Sequence, residues 1–247
     1  MGSLPKRAMG SALNVMPTRA PIEGVPMREN SETIDVLIEP RGLEGILRLP
    51  RRPTGLIIFA HGSGSSRFSP RNSLVARQLS NRGFATLLFD LLTAGEEQDR
   101  RNVFDIPLLS SRVGEAVGWA STSSYVQRLP IGLFGASTGA AAALVAAANE
   151  PRPVRAVVSR GGRPDLAGEA LAQVKAATLL IVGGLDHDVL DLNRHALRLL
   201  QCEKRLDVVP GATHLFEEPG TLEAVVEASI NWFSAYVPGN EQGSEDG

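Results

Sequence analysis

Leu133-Phe134-Gly135-Ala136-Ser137-Thr138-Gly139 reads as the end of a buried strand, a tight turn with a serine at its tip, and the start of the alanine-rich run 140–148. A serine raised on a sharp strand-to-helix turn is crowded by backbone on both sides, so the flanking positions of Gly135-x-Ser137-x-Gly139 must be small. The helix beginning beneath it aims backbone N–H groups and the positive end of its dipole at whatever the serine attacks. With 19 serines and 25 glycines in 247 residues, the pentapeptide arises by chance roughly 0.2 times. Context raises it above chance, because the apolar run 131–134 precedes it and strong helix formers follow.

The alternation of strand and helix continues on both sides. Upstream, Ile34, Val36 and Ile38 alternate with polar residues, turn at Pro40-Arg41-Gly42 and resume over 43–49, a hairpin pattern. The runs 56–60 and 84–89 predict strands buried on both faces, joined by a helix that starts at Ser69-Pro70 and stops at Gly83. Ile106, Leu109, Val113, Ala116 and Ala120 recur at helical spacing and predict a helix over 103–120. Downstream, strands are predicted at 154–158, 178–182 and 205–209, with helices at 138–149, 164–174, 190–200 and 221–233.

A hairpin entering such a series predicts one α/β domain over 31–237, with a mainly parallel eight-stranded sheet and helices on both faces. Residues 159–177 alone separate the sixth and seventh strands, which leaves no space for a separate lid domain. The proline-bearing stretch 1–30 is expected to be a flexible N-terminal tail, and the acidic, polar stretch 238–247 a flexible C-terminal one.

Composition narrows the function. Twenty-five Lys and Arg face 27 Asp and Glu, a net charge of −2 that offers no basic surface for nucleic acid. The single cysteine, Cys202, excludes an internal disulfide framework and a multi-cysteine metal site, and suits a reducing, cytoplasmic setting. No run approaches the 18 or more apolar residues of a membrane span, so no membrane partner is expected. The loop His61–Ser66 is glycine-rich, but it lacks the Gly-Lys-Ser/Thr of a P-loop, and Arg67 stands where a dinucleotide motif needs glycine. Trp119, Trp232 and Tyr236 are candidates for core packing or for a homodimer interface.

A serine hydroxyl needs a neighbouring base, usually an imidazole held in one tautomer by a carboxylate. Of the four histidines, His195 falls inside a predicted helix, His187 in a loop beside two aspartates, and His61 at the head of a loop that its ring can brace by hydrogen bonding. His214, in Gly211-Ala212-Thr213-His214 just after the last strand, is placed to hang over the serine. Asp186 stands at a strand's carboxyl edge, with Asp188 as its competitor; Asp90 also ends a strand, where capping the loop that follows is its expected role. The order Ser137, Asp186, His214 is the α/β-hydrolase order of nucleophile, acid and base. An oxyanion hole needs two fixed N–H donors, expected from Thr138 and from Ser63, with Gly62 as the alternative to Ser63.

Through His61-Gly62-Ser63-Gly64-Ser65-Ser66-Arg67, Gly135-Ala136-Ser137-Thr138-Gly139, Gly183-Gly184-Leu185-Asp186 and Ala212-Thr213-His214-Leu215-Phe216, the chain resembles bacterial dienelactone hydrolase-like proteins of the α/β-hydrolase superfamily. The resemblance spans about residues 32–236. It implies catalytic Ser137, Asp186 and His214, and no metal or organic cofactor. True dienelactone hydrolases carry a cysteine nucleophile, whereas this chain has Ser137, which favours a small-molecule ester or similar acyl substrate. Arg67 and Arg160, on the same sheet edge, are candidates for binding an anionic substrate group. Acyl transfer or perhydrolysis on the same triad, and a hydrolase fold kept as a binding module, are the competing readings.

Overall fold

The computed structural model describes residues 31–150 and 154–237. The expected tails, 1–30 and 238–247, lie outside the described residues. Eight strands form one sheet: β1 (Ser31–Ile38), β2 (Leu43–Pro50), β3 (Gly55–Ala60), β4 (Phe84–Phe89), β5 (Ile131–Ala136), β6 (Val154–Arg160), β7 (Ala177–Gly183) and β8 (Lys204–Val209). Their order is β1-β2-β4-β3-β5-β6-β7-β8. The β1–β2 hairpin joins antiparallel to β4, and every later pairing is parallel. Strands β3, β4, β5 and β7 are buried along their whole length, as continuous apolar runs require between two helical layers.

Helices α1 (Pro70–Asn81) and α5 (Thr221–Tyr236) cover one face; α2 (Ile106–Thr122), α3 (Thr138–Asn149) and α4 (His187–Leu199) cover the other. On the first face Val75, Leu79, Val225 and Phe233 meet Ile57, Phe59 and Phe134, and on the second Leu109, Val113 and Leu144 meet Ile58 and Leu133. Trp119, Trp232 and Tyr236 all pack on these cores. No helix among the described residues is long and apolar enough to cross a membrane.

Among the differences from the sequence reading, three concern the helices that flank the site. Helix α2 starts at Ile106 rather than 103, because the Asp105 side chain accepts the Leu108 N–H (2.9 Å) and fixes the cap there. The predicted helix at 164–174 is instead a run of 3-10 turns, Pro164–Gln173, broken at Gly168 (φ 54°). His187, expected in a loop, is the first residue of α4 and is exposed.

The strand–turn–helix at Ser137 is built by close backbone approach. Ser137 holds φ 51°, ψ −122°, a conformation that a non-glycine residue keeps only when its surroundings impose it. A Cβ on Gly135 would stand 2.4 Å from Ala140 Cα, and one on Gly139 would stand 2.3 Å from the carbonyl oxygens of both Ala60 and His61. Helix α3 therefore rests directly on the end of β3. Because backbone cannot yield as a flexible side-chain tip does, Gly139→Ala is expected to lower stability by about 2 kcal/mol or more. Thermal unfolding checks this, and an unchanged midpoint would count against the packing described.

Candidate active site

The carboxyl ends of β3, β5, β6, β7 and β8 deliver the site, as parallel sheets do. Ser137 is tied at both backbone ends to the segment after β6: its N–H donates to Arg160 O (3.3 Å) and its carbonyl accepts the Arg163 N–H (3.0 Å). Between these two bonds lies Gly161, packed on the loop after β8. A Cβ at Gly161 would stand 3.0 Å from His214 O and 3.7 Å from ring atom Cε1 of His214. One short segment thus touches both Ser137 and His214.

Asp186 caps α4 directly after β7, and its Oδ2 accepts from His214 Nδ1 at 2.7 Å. A carboxylate only accepts, so Nδ1 carries the proton and Nε2 remains as the basic nitrogen. No direct hydrogen bond joins Ser137 Oγ to the imidazole among the described residues; such contacts commonly tighten once substrate is bound. Asp188 is exposed in the first turn of α4, and His195 is exposed on the same helix with Arg198 at its Nδ1.

Two braces hold the His214 loop that the sequence reading did not find. Glu218 accepts the Thr213 N–H (3.1 Å) and hydroxyl (2.6 Å), and the hydroxyl bond holds the Glu218 carboxyl below the usual range. Phe216 adopts φ 55°, unusual for a bulky side chain, and is kept there by burial in the α1–α5 core. The Thr213 and Glu218 spacing was readable as a self-bonded loop; the Phe216 backbone carried no signal.

Ser63 and Thr138, the two residues expected to supply oxyanion donors, come together beside Ser137. Gly62 approaches so closely that a Cβ there would stand 2.9 Å from Ser137 Cβ. Beside it the Ser63 N–H donates to Thr138 Oγ1 (3.0 Å), a contact between a strand-end loop and a helix start that residue patterns do not announce. His61 braces the loop from below, as its position suggested. Its Nε2 accepts the Leu91 N–H (3.1 Å), which leaves Nδ1 to donate to Gly62 O (3.0 Å). Burial keeps this ring neutral by pushing its pKa below the ordinary 6.5.

The arginines are placed differently from expectation. Arg67 ion-pairs with Asp90 and with Glu44 (2.5 Å), and its backbone N–H donates to Asp90 Oδ1 (2.7 Å), so its charge is already spent. Asp90 accordingly ties back to the loop after β3 instead of capping the loop that follows it. Arg160 is only 7% exposed and has no carboxylate partner among the described residues. Its Nη2 reaches Asn72 Oδ1 at 3.4 Å, its Nε has no partner, and burial followed by the neighbouring Arg71 brings its pKa down to about 10. Among the described residues no cluster of His, Cys, Asp and Glu side chains is arranged to hold a metal ion.

Comparison with known proteins agrees with this architecture. The family model described as "Dienelactone hydrolase family" matches residues 43–237. A crystal structure of a dienelactone hydrolase from Anabaena variabilis is 52% identical, with a TM-score of 0.81 over 84% of this chain and 98% of that one. Est1E from Butyrivibrio proteoclasticus, 17% identical with a TM-score of 0.69 over 82% of this chain and 98% of its own, shares the fold. Two Mycobacterium tuberculosis proteins, each named "Putative phosphoribosyl transferase", are 56% identical over 214 residues, which is 87% of this chain and 48% of theirs. The chain therefore spans about half the length of those relatives.

Two buried titratable side chains, His61 and Arg160, can be tested through stability. His61 binds its proton less readily when folded than when unfolded, so the unfolded chain takes up the extra proton as pH falls through 6.5. Stability should drop as pH falls below 6.5, with a slope of at most about 1.4 kcal/mol per pH unit from this one proton, and His61→Asn should flatten that slope in denaturant titrations at pH 5–8. Arg160→Met, which replaces an uncompensated buried cation by an apolar chain, is expected to leave the thermal midpoint unchanged or raise it; a marked fall would show that the charge is compensated.

Proposed function

The chain belongs to the dienelactone hydrolase family of α/β-hydrolases, and from that premise we propose a serine hydrolase that cleaves a carboxylic ester or lactone through an acyl-Ser137 intermediate. The observation that carries this reading is the Asp186–His214 bond at 2.7 Å, which directs the imidazole's basic nitrogen away from the carboxylate. Gly161, where an added Cβ would stand 3.7 Å from the same ring, lies between the two backbone bonds that fix Ser137.

Ser137 Oγ attacks the acyl carbon while its proton passes to His214 Nε2, and Asp186 stabilises the imidazolium without taking the proton. The carbonyl oxygen becomes an oxyanion between the N–H groups of Thr138 and Ser63. Thr138 Oγ1 occupies the Ser63 donor in the structure and yields it to the stronger, charged acceptor. Collapse breaks the bond to the leaving oxygen, which takes the proton from Nε2. Water then gives a proton to Nε2 and adds to the acyl carbon; collapse breaks the bond to Ser137 Oγ, which takes that proton back from Nε2, and the acid leaves.

The transferase name belongs to proteins about twice as long, whereas the residues matched here fold as a hydrolase. Ser137→Ala is expected to abolish fluorophosphonate labelling and to lower nitrophenyl acetate hydrolysis by about 10⁴-fold or more, and Asp186→Asn by about 10⁴-fold. Labelling that persists in Ser137→Ala would refute the assignment.

A further inference from the structure

A cavity of about 480 Å³ opens off the oxyanion loop, walled by Ser63 and Thr138 on one side and by Leu91, Leu92, Val103 and Leu109 on the other. We propose that this cavity is the acyl subsite of the Ser137 reaction and that it admits uncharged acyl groups in preference to anionic ones. The inference rests on the acyl-serine reading and adds the class of substrate.

Direction follows from the chemistry. The leaving oxygen must receive its proton from His214, so the alcohol half lies on the side of Gly161 and the loop after β8. The carbonyl oxygen lies at the Ser63 and Thr138 donors. The acyl chain shares its carbon with that oxygen, and the open space beyond those donors is this cavity. Its volume falls in the range of small-molecule sites.

Charge follows from the lining. Glu97 is the acid on the cavity wall, and among the described residues no lysine or arginine lines it. His61, also on the wall, is neutral, since its Nε2 accepts the Leu91 N–H. The nearby cations are engaged elsewhere: Arg67 with Asp90 and Glu44, and Arg112, 2% exposed, with Glu96 and Glu115. Arg71 and Arg160 lie toward α1 and Phe216, outside the lining. A carboxylate carried into this space would lose hydration, meet Glu97 and gain no counter-charge. An apolar chain would meet four largely buried leucine and valine side chains, with serine hydroxyls of the 63–69 loop at its edge.

Nitrophenyl hexanoate and nitrophenyl hemiadipate have the same chain length and differ in the terminal carboxylate, which makes them the test pair. Wild type should favour hexanoate by about tenfold or more in kcat/KM, and Glu97→Gln should narrow that ratio by about threefold. Leu109→Trp, which fills the cavity, should lower the hexanoate-to-acetate ratio by about tenfold. Hemiadipate turned over as well as hexanoate, or a hexanoate-to-acetate ratio unmoved by Leu109→Trp, would overturn the proposal. Ser137→Ala separates the two levels: if it hydrolyses both esters like wild type, the acyl-serine reading itself fails, whereas an inactive Ser137→Ala with unmoved ratios removes the subsite alone.

Discussion

Backbone against backbone is the contact on which this molecule depends. At Gly139 the first turn of α3 lies on the carbonyls of Ala60 and His61, and at Gly135 the last turn of β5 lies on Ala140. With no side chains between them, the end of one strand, the start of one helix and the loop from the neighbouring strand become a single rigid corner. Ser137 is held in its unusual conformation by that corner, and Gly62 is drawn to its side. Positioning thus comes from peptide geometry, and the side chains that surround it add polarity.

The polar groups divide the labour by burial. His61 is enclosed and neutral, so it serves as a brace between Leu91 and Gly62. His214 is more open, with its side chain 40% exposed, while its partner Asp186 is 15% exposed and holds its orientation. The same kind of ring therefore braces a loop at one strand end and lies open beside a carboxylate at another. Electrostatics in the site are strong where water is excluded and weaker where substrate must enter.

Much of this was legible because it is local. The run Leu133–Gly139 carries its own turn geometry, and residues that follow a strand end, such as Asp186 and His214, inherit their placement from the sheet. Apolar runs and capping residues gave the strands and most helices for the same reason. What escaped were contacts made across the fold: Thr138 Oγ1 on the Ser63 N–H, Glu44 and Asp90 on Arg67, and Asn72 on Arg160. Each joins segments whose proximity is decided only when β3 takes its place between β4 and β5. The failed helix at 164–174 is a different case, since periodicity was present and a single glycine with positive φ broke it.

That broken stretch has an architectural consequence. It begins at Pro164, one residue after Arg163, which is bonded to Ser137, and runs toward β7 as 3-10 turns with Leu166 exposed. A segment this weakly committed to regular hydrogen bonding is a natural port for extra chain. Sequence grafted at the bend could roof the nucleophile and reshape which molecules enter, while the rigid corner beneath kept its form.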